Sequence, residues 1–190
     1  MAITFRELKS YISRTVRISI CFEDGHYDNY TMISDIVDDR YDDLYVFGVG
    51  MVDVEFPNDV YKRPSVNLSE CFSSKDGYDL RCGLEIVLQK EPRDALRLDE
   101  QTLHFQDLRT YLQIGRHFSV VMKEDWTSTY YEWKRDISKE IDDLYVYGIG
   151  IEELPHELKP KNFRYPDLTD TTLMKQMVIV LAKKPREDLQ

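Results

Sequence analysis

The densest group of chemistry-bearing side chains in this 190-residue chain is a run of aspartates, Asp35, Asp38, Asp39, Asp42 and Asp43, echoed further on by Asp136, Glu140, Asp142 and Asp143. Carboxylates so spaced can hold a divalent cation, or can stand where phosphates would stand against a partner's lysines and arginines. The EF-hand pattern needs a central glycine and a terminal glutamate, and both are missing. Asp42 and Asp43 recur as Asp142 and Asp143, so their expected role is structural, accepting backbone N–H bonds in the turn before a strand. At a spacing of one hundred, Asp35, Asp38 and Asp39 fall against Arg135, Ser138 and Lys139, which leaves them free to serve a partner. Tyr27, Tyr30, Tyr41, Tyr45 and Tyr61 lie close by in the sequence. Aromatic rings beside carboxylates suit a protein interface, because they bury much area at little entropic cost; strand propensity and core filling are the competing reading. The expected partner-binding set is Asp35, Asp38, Asp39, Tyr27, Tyr30, Tyr41 and Tyr61.

Other reactive side chains do not cluster. His26, His104, His117 and His156 are scattered, with no Cys or His partner within four residues, so no zinc site is expected. The chain has no G-x-S-x-G elbow, Walker loop or Cys-x-x-Cys. No catalytic residue, metal or cofactor is therefore expected. Cys21, Cys71 and Cys82 are odd in number and lack counterparts in the second half, which reads as free thiols in a reducing compartment. No apolar run approaches the ~18 residues that span a bilayer, and the N-terminus lacks the apolar stretch of a signal peptide. The expectation is a cytoplasmic protein with no membrane partner. The net charge is −10, with 12 Lys and Arg against 20 Asp and Glu in the first hundred residues and 13 against 15 in the remainder. That sign disfavours direct binding of DNA or RNA.

The elements that must position these residues are written twice. FRELKSYI (5–12) matches FQDLRTYL (105–112) and DDLYVFGVG (42–50) matches DDLYVYGIG (142–150), at a constant spacing of one hundred and without a gap. EIVLQKEPR (85–93) matches VIVLAKKPR (178–186) at a spacing of 93. The organisation read from this is a first module over 1–92, a linker over 93–103 and a second module over 104–190, with fusion of the copies about a pseudo-twofold axis left open. Phe5, Leu8, Tyr11 and Ile12 make an apolar helix face headed by a Thr4/Glu7 capping box; Gln101 or Thr102 is expected to start the second helix. Val16, Ile18, Ile20 and Phe22 alternate as a half-buried strand, with Phe118, Val120 and Met122 as their counterparts. A turn at 23–25 leads to a returning strand over 30–37. A third strand over 44–56 is apolar on both faces and is expected to be central or covered on both sides. Its glycines, Gly48 and Gly50, mark a bulge or a close approach. A long loop over 57–79, shortened at 155–175, is a binding, lid or mobile element, and a last strand, 83–89 and 177–182, closes each module. The fold class is α+β: two tandem modules, each of one helix and about four strands in an antiparallel sheet.

The order of Phe5-x-x-Leu8 helix, Asp24-Gly25 turn, Ile33-Ser34-Asp35-Ile36 strand, D-D-L-Y-V-x-G-[VI]-G and Gly83-Leu84-Glu85-Ile86-Val87-Leu88 resembles small uncharacterised proteins carried by phages and mobile elements of Gram-positive bacteria. The resemblance covers nearly all of each module and carries no catalytic residues with it. In size, acidity and lack of catalytic motifs the chain is also similar to phage anti-CRISPR inhibitors, a likeness of character and not of motif. It implies a non-enzymatic anti-defence inhibitor in the host cytoplasm, whose acidic first module occupies a basic surface of a host protein, such as a CRISPR effector or another nucleic-acid-binding protein. The first alternative is a structural tandem-repeat scaffold forming a homodimer or larger homo-oligomer. The second is a Mg²⁺-dependent hydrolase or nuclease, for which carboxylates are plentiful and a supporting base is not evident.

Overall fold

The computed structural model describes residues 2–14, 16–36, 39–57, 78–93, 102–113, 118–153 and 175–189. The fold is α+β, with two four-stranded sheets and one short helix beside each. Helix α1 spans Phe5–Lys9, and the expected capping box heads it: the Thr4 hydroxyl accepts from Glu7 N, while Glu7 Oε2 accepts from Thr4 N at 2.7 Å. Helix α2 spans Phe105–Tyr111 and starts after His104, not at Gln101 or Thr102. His104 cannot cap as threonine does; its Nδ1 lies 2.9 Å from Asp143 O instead. Phe5, Leu8, Phe105 and Leu108 are fully buried, each worth ~1.5–3 kcal/mol of transfer free energy.

In the first sheet β1 (Ile18–Phe22) is flanked by β2 (Tyr27–Tyr30) and β4 (Tyr78–Gln89), and β3 (Tyr45–Pro57) lies outside β4. The second sheet repeats the order with β5 (Phe118–Met122), β6 (Ser128–Tyr131), β7 (Tyr145–Glu153) and β8 (Lys175–Ala182). Two expectations need correcting. The sheets are mixed, because β4 runs parallel to β1 and β8 parallel to β5 while both remain antiparallel to β3 and β7. The closing strand inserts in the centre, so β3 is an edge strand. The returning strand is also shorter and earlier than 30–37: after Tyr30 the chain turns into a 3-10 segment, Ile33–Asp35, in which Asp35 Oδ2 accepts from Met32 N at 3.0 Å. Residues 58–77 and 154–174, which hold most of the two expected loops together with Cys71 and Tyr61, lie outside the described residues, as do Asp38, His117 and His156.

The repeat is not gapless in space. Ile18 pairs with Tyr30 but Phe118 pairs with Tyr131, so the second hairpin is one residue longer. The first turn places Gly25 at φ 81 and closes with Phe22 N donating to His26 O; the longer one places Trp126 at φ 57 and closes with Met122 N donating to Thr127 O. Asp35 thus corresponds to Asp136, the last residue of the matching 3-10 turn Lys134–Asp136, and not to Arg135. The spacing of one hundred returns at Asp39 and Lys139, whose carbonyls accept from Asp42 N and Asp142 N.

The two modules exchange edges. Leu112 of the second module forms a parallel bridge to Val49 on β3, and Ile12 of the first forms one to Ile149 on β7. Ile149 N donates to Tyr11 O and Ser13 N to Ile149 O, both at 2.8 Å, while Gln113 N donates to Val49 O at 2.7 Å. Each post-helix segment therefore covers the sheet edge of the opposite module, which explains an edge strand that is apolar on both faces. Bulges between Val46 and Gly48 and between Val146 and Gly148 reset the alternation, so Val46 and Val49 are both buried. Gly48 and Gly50 permit the close approach: a Cβ at Gly48 would fall 2.2 Å from Gln113 Cδ, and one at Gly50 3.3 Å from Gln113 O. A single buried apolar cluster contains Phe5, Leu8 and Tyr11 together with Leu103, Phe105 and Tyr111.

Candidate binding surface

The expected partner-binding residues separate once the chain folds. Along β2 the side chains alternate, so Tyr27 and Asn29 are exposed while Asp28 and Tyr30 are half-buried. Tyr27 is 59% exposed, on a strand whose outer edge meets no other described strand. Tyr41 corrects the expectation, for it is buried at 3%, edge-on to Phe5 at 6.0 Å and tilted against Phe22 at 5.7 Å. Its hydroxyl donates to Asp28 Oδ2, which leaves its oxygen to accept the Tyr30 hydroxyl at 2.6 Å. Burial first, and then the Asp28 hydrogen bond, push the Tyr41 phenol above the ordinary tyrosine range. Tyr41 is thus a core residue with its polar tip satisfied, and the structure gives it no face for a partner.

The carboxylates divide in the same way. Asp42 is buried at 4% and ion-paired with Lys9 and, at 3.4 Å, with Arg6; Asp142 pairs with Arg109, the counterpart of Lys9, at 2.7 Å. Their role is structural, as expected: the carboxylates are held by helix cations, while the main-chain carbonyls of Asp42 and Asp142 accept from Arg6 N at 3.3 Å and Gln106 N at 2.9 Å. Asp39 is 88% exposed at the side chain, with Lys9 at 3.8 Å, and Asp43 is 93% exposed, with Arg6 at 3.2 Å. Asp35 is exposed and bonded to its own turn. Because it matches Asp136, divergence no longer marks it out. Glu23 and Asp24 at the hairpin tip are exposed, and Asp24 Oδ1 accepts from His26 N at 2.9 Å. At the second hairpin tip Lys123 replaces Glu23 and lies 4.4 Å from the Trp126 ring centre. The exposed acidic residues of the first module thus fall in two places: Glu23 and Asp24 at the hairpin tip beside Tyr27, and Asp35, Asp39 and Asp43 in the segment between β2 and β3.

Among the described residues no group of three His, Cys, Asp or Glu side chains converges as metal ligands. No helix among them is long and apolar enough to cross a membrane. Neither Cys21 nor Cys82 forms a disulfide among the described residues; burial, followed by the nearby Glu85 charge, raises the Cys21 thiol above its ordinary range.

Two arginines, Arg93 and Arg186, escaped the sequence reading, in which KEPR and KKPR served only as the ends of the matched segments. Arg186 donates to Ser10 O at 2.9 Å and Tyr147 O at 3.3 Å, with its guanidinium over the Tyr11 and Tyr147 rings. Arg93 does the reciprocal, donating to Thr110 O and Phe47 O at 3.4 Å over the Phe47 and Tyr111 rings. Each clasps the end of the opposite helix. The repeated Pro-Arg was the available signal. Beside Arg186 lies a cleft of about 750 Å³ floored by Gly148 and Gly150 and walled by Trp126, Tyr147 and Ile151. It opens where Ser13 stands in place of Gln113. Comparison of the chain with protein-family models, curated proteins and solved structures returns no match.

Proposed function

We propose that the chain is a non-enzymatic protein-binding module that docks the acidic edge of its first sheet on a basic surface of a partner, in the manner of an inhibitor that displaces nucleic acid. The observation that carries this reading is Tyr27, exposed on a strand edge that meets no other described strand, with Glu23 and Asp24 beside it at the hairpin tip. A rigid aromatic beside carboxylates supplies an anchor with charge complementarity next to it. The surface carboxylates sit where phosphates would meet a partner's Lys and Arg, so binding should weaken as salt rises. The partner class that fits is a nucleic-acid-binding protein, and an RNA-guided nuclease of the CRISPR type is the version to test first. The reciprocal covering of β3 and β7 supports a monomer over a homo-oligomeric scaffold, since the inner sheet edges are already covered within one chain.

The experiment is displacement of labelled DNA from such an effector by the purified chain across a salt series. Tyr27→Ala combined with Asp24→Asn and Asp39→Asn should abolish displacement while leaving the unfolding midpoint unchanged. Displacement that survives this triple change would remove the acidic edge from consideration, and a stable dimer by sedimentation would turn attention to the scaffold reading.

A further inference from the structure

Three cations gather at the last turn of α2. Arg93 donates to Thr110 O, Lys134 Nζ donates to Leu112 O at 2.6 Å, and Arg109, which immediately precedes Thr110, donates to Asp142 at 2.7 Å and Ile137 O at 2.8 Å. Asp142 is the only carboxylate that pairs with any of the three among the described residues, and Arg109 holds it. Partial burial, followed by the charges of Arg93 and Arg109, lowers the Lys134 amine from its usual range. Satisfying helix-end carbonyls explains a bond or two. It does not explain a third like charge.

The sister turn at the end of α1 is the internal control. There Arg186, the counterpart of Arg93, is tied to Asp188, whereas the sequence has Ala95 at the corresponding place. Ile33, the counterpart of Lys134, packs against the apolar core. Lys9, the counterpart of Arg109, is shared by Asp42 and Asp39, while Lys139 replaces Asp39. Among the described residues the α1 seam sets three carboxylates, Asp39, Asp42 and Asp188, against its cations, whereas the α2 seam sets Asp142 alone against three. We propose that Arg93 and Lys134, backed by Arg109, form a binding site for a tetrahedral oxyanion, a phosphate or phosphate monoester, at the seam between β3 and α2. A guanidinium fork and an ammonium suit such an ion. The 3.4 Å carbonyl bonds of Arg93 are long and are given up at little cost.

Calorimetry of the full chain at low ionic strength, with inorganic phosphate and separately with a nucleoside 5′-monophosphate, tests the site. One saturable site per chain is expected. Lys134→Ile, which installs the sister turn's residue, should weaken it about tenfold or more. Ile33→Lys with Asp188→Ala should create a second site and raise the stoichiometry. Equal affinities assign the site to the free ion, and tighter binding of the monophosphate assigns it to an ester. Absence of saturable heat, or heat that Lys134→Ile leaves unchanged in a folded variant, overturns the proposal; Arg93→Gln is read in the same way if Lys134→Ile fails to fold. The acidic-edge variants should leave phosphate binding intact, so the two proposals fail separately.

Discussion

Asp42 and Asp142 occupy matching places, yet their surroundings give them different weight. Asp42 has a side chain 5% exposed between Lys9 and Arg6, while Asp142 is 23% exposed and faces Arg109. Loss of a buried, paired charge costs more than loss of a hydrated one. Asp42→Asn should lower unfolding free energy by about 2 kcal/mol, and Asp142→Asn by less, as read from urea midpoints. Glu85 supplies a pH test. It lies half-buried on the central strand β4, where Val178 stands in the second module, and burial raises its carboxyl above the ordinary range. Its folded pKa exceeds its unfolded one, so the folded state holds the proton more tightly and stability falls as pH rises from the unfolded pKa through the folded one. Glu85→Gln should therefore raise the melting temperature at neutral pH, and the gain should close as the solution is acidified below the carboxylate range. A gain that persists in acid would mean that packing, and not ionisation, is responsible.

At the scale of elements, the glycines of β3 and β7 make an asymmetric prediction. A methyl at Gly50 would press 3.3 Å from the Gln113 carbonyl, a backbone atom, whereas at Gly150 it would meet Ser13 Cβ at an ordinary 3.6 Å. Gly50→Ala should cost about 1 kcal/mol or more while Gly150→Ala costs little, measured by thermal unfolding of the two single variants. The helix cap, the β1 alternation, the third strand and its bulge were legible because each is set by neighbours within a few residues. The parallel β1–β4 pairing was not, since it depends on a partner more than sixty positions away whose own pattern is a plain apolar run. An ungapped alignment also hid the extra residue in the second hairpin, because a compensating loss before Asp142 restored the register. Tyr41 misled for a different reason: a phenol among aspartates looks outward in sequence, but Asp28 and Tyr30 satisfy its hydroxyl from inside the fold. Of the expected binding set, Tyr27, Asp35 and Asp39 remain on the surface.

Across the whole molecule, the pseudo-twofold arrangement turns one module's post-helix segment into the cover for the other module's sheet. Arg93 and Arg186 tighten the same seam from both sides, and Leu103 N donates to the Tyr11 hydroxyl across it. The halves are alike in backbone and unlike in charge, which places the proposed acidic docking edge in the first and the proposed oxyanion site where the second meets it. The oxyanion site depends on the modules forming one unit. Both tryptophans, Trp126 and Trp133, lie in the second module, so their fluorescence reports that half alone. The decisive measurement is urea unfolding followed by tryptophan fluorescence in the parent chain and in Leu8→Ala, a change to a fully buried residue of the first module. An interlocked core predicts that the tryptophan transition moves to lower urea by the full core-cavity cost, about 2–5 kcal/mol; a tryptophan transition left in place would show that the modules fold independently and would contradict the account.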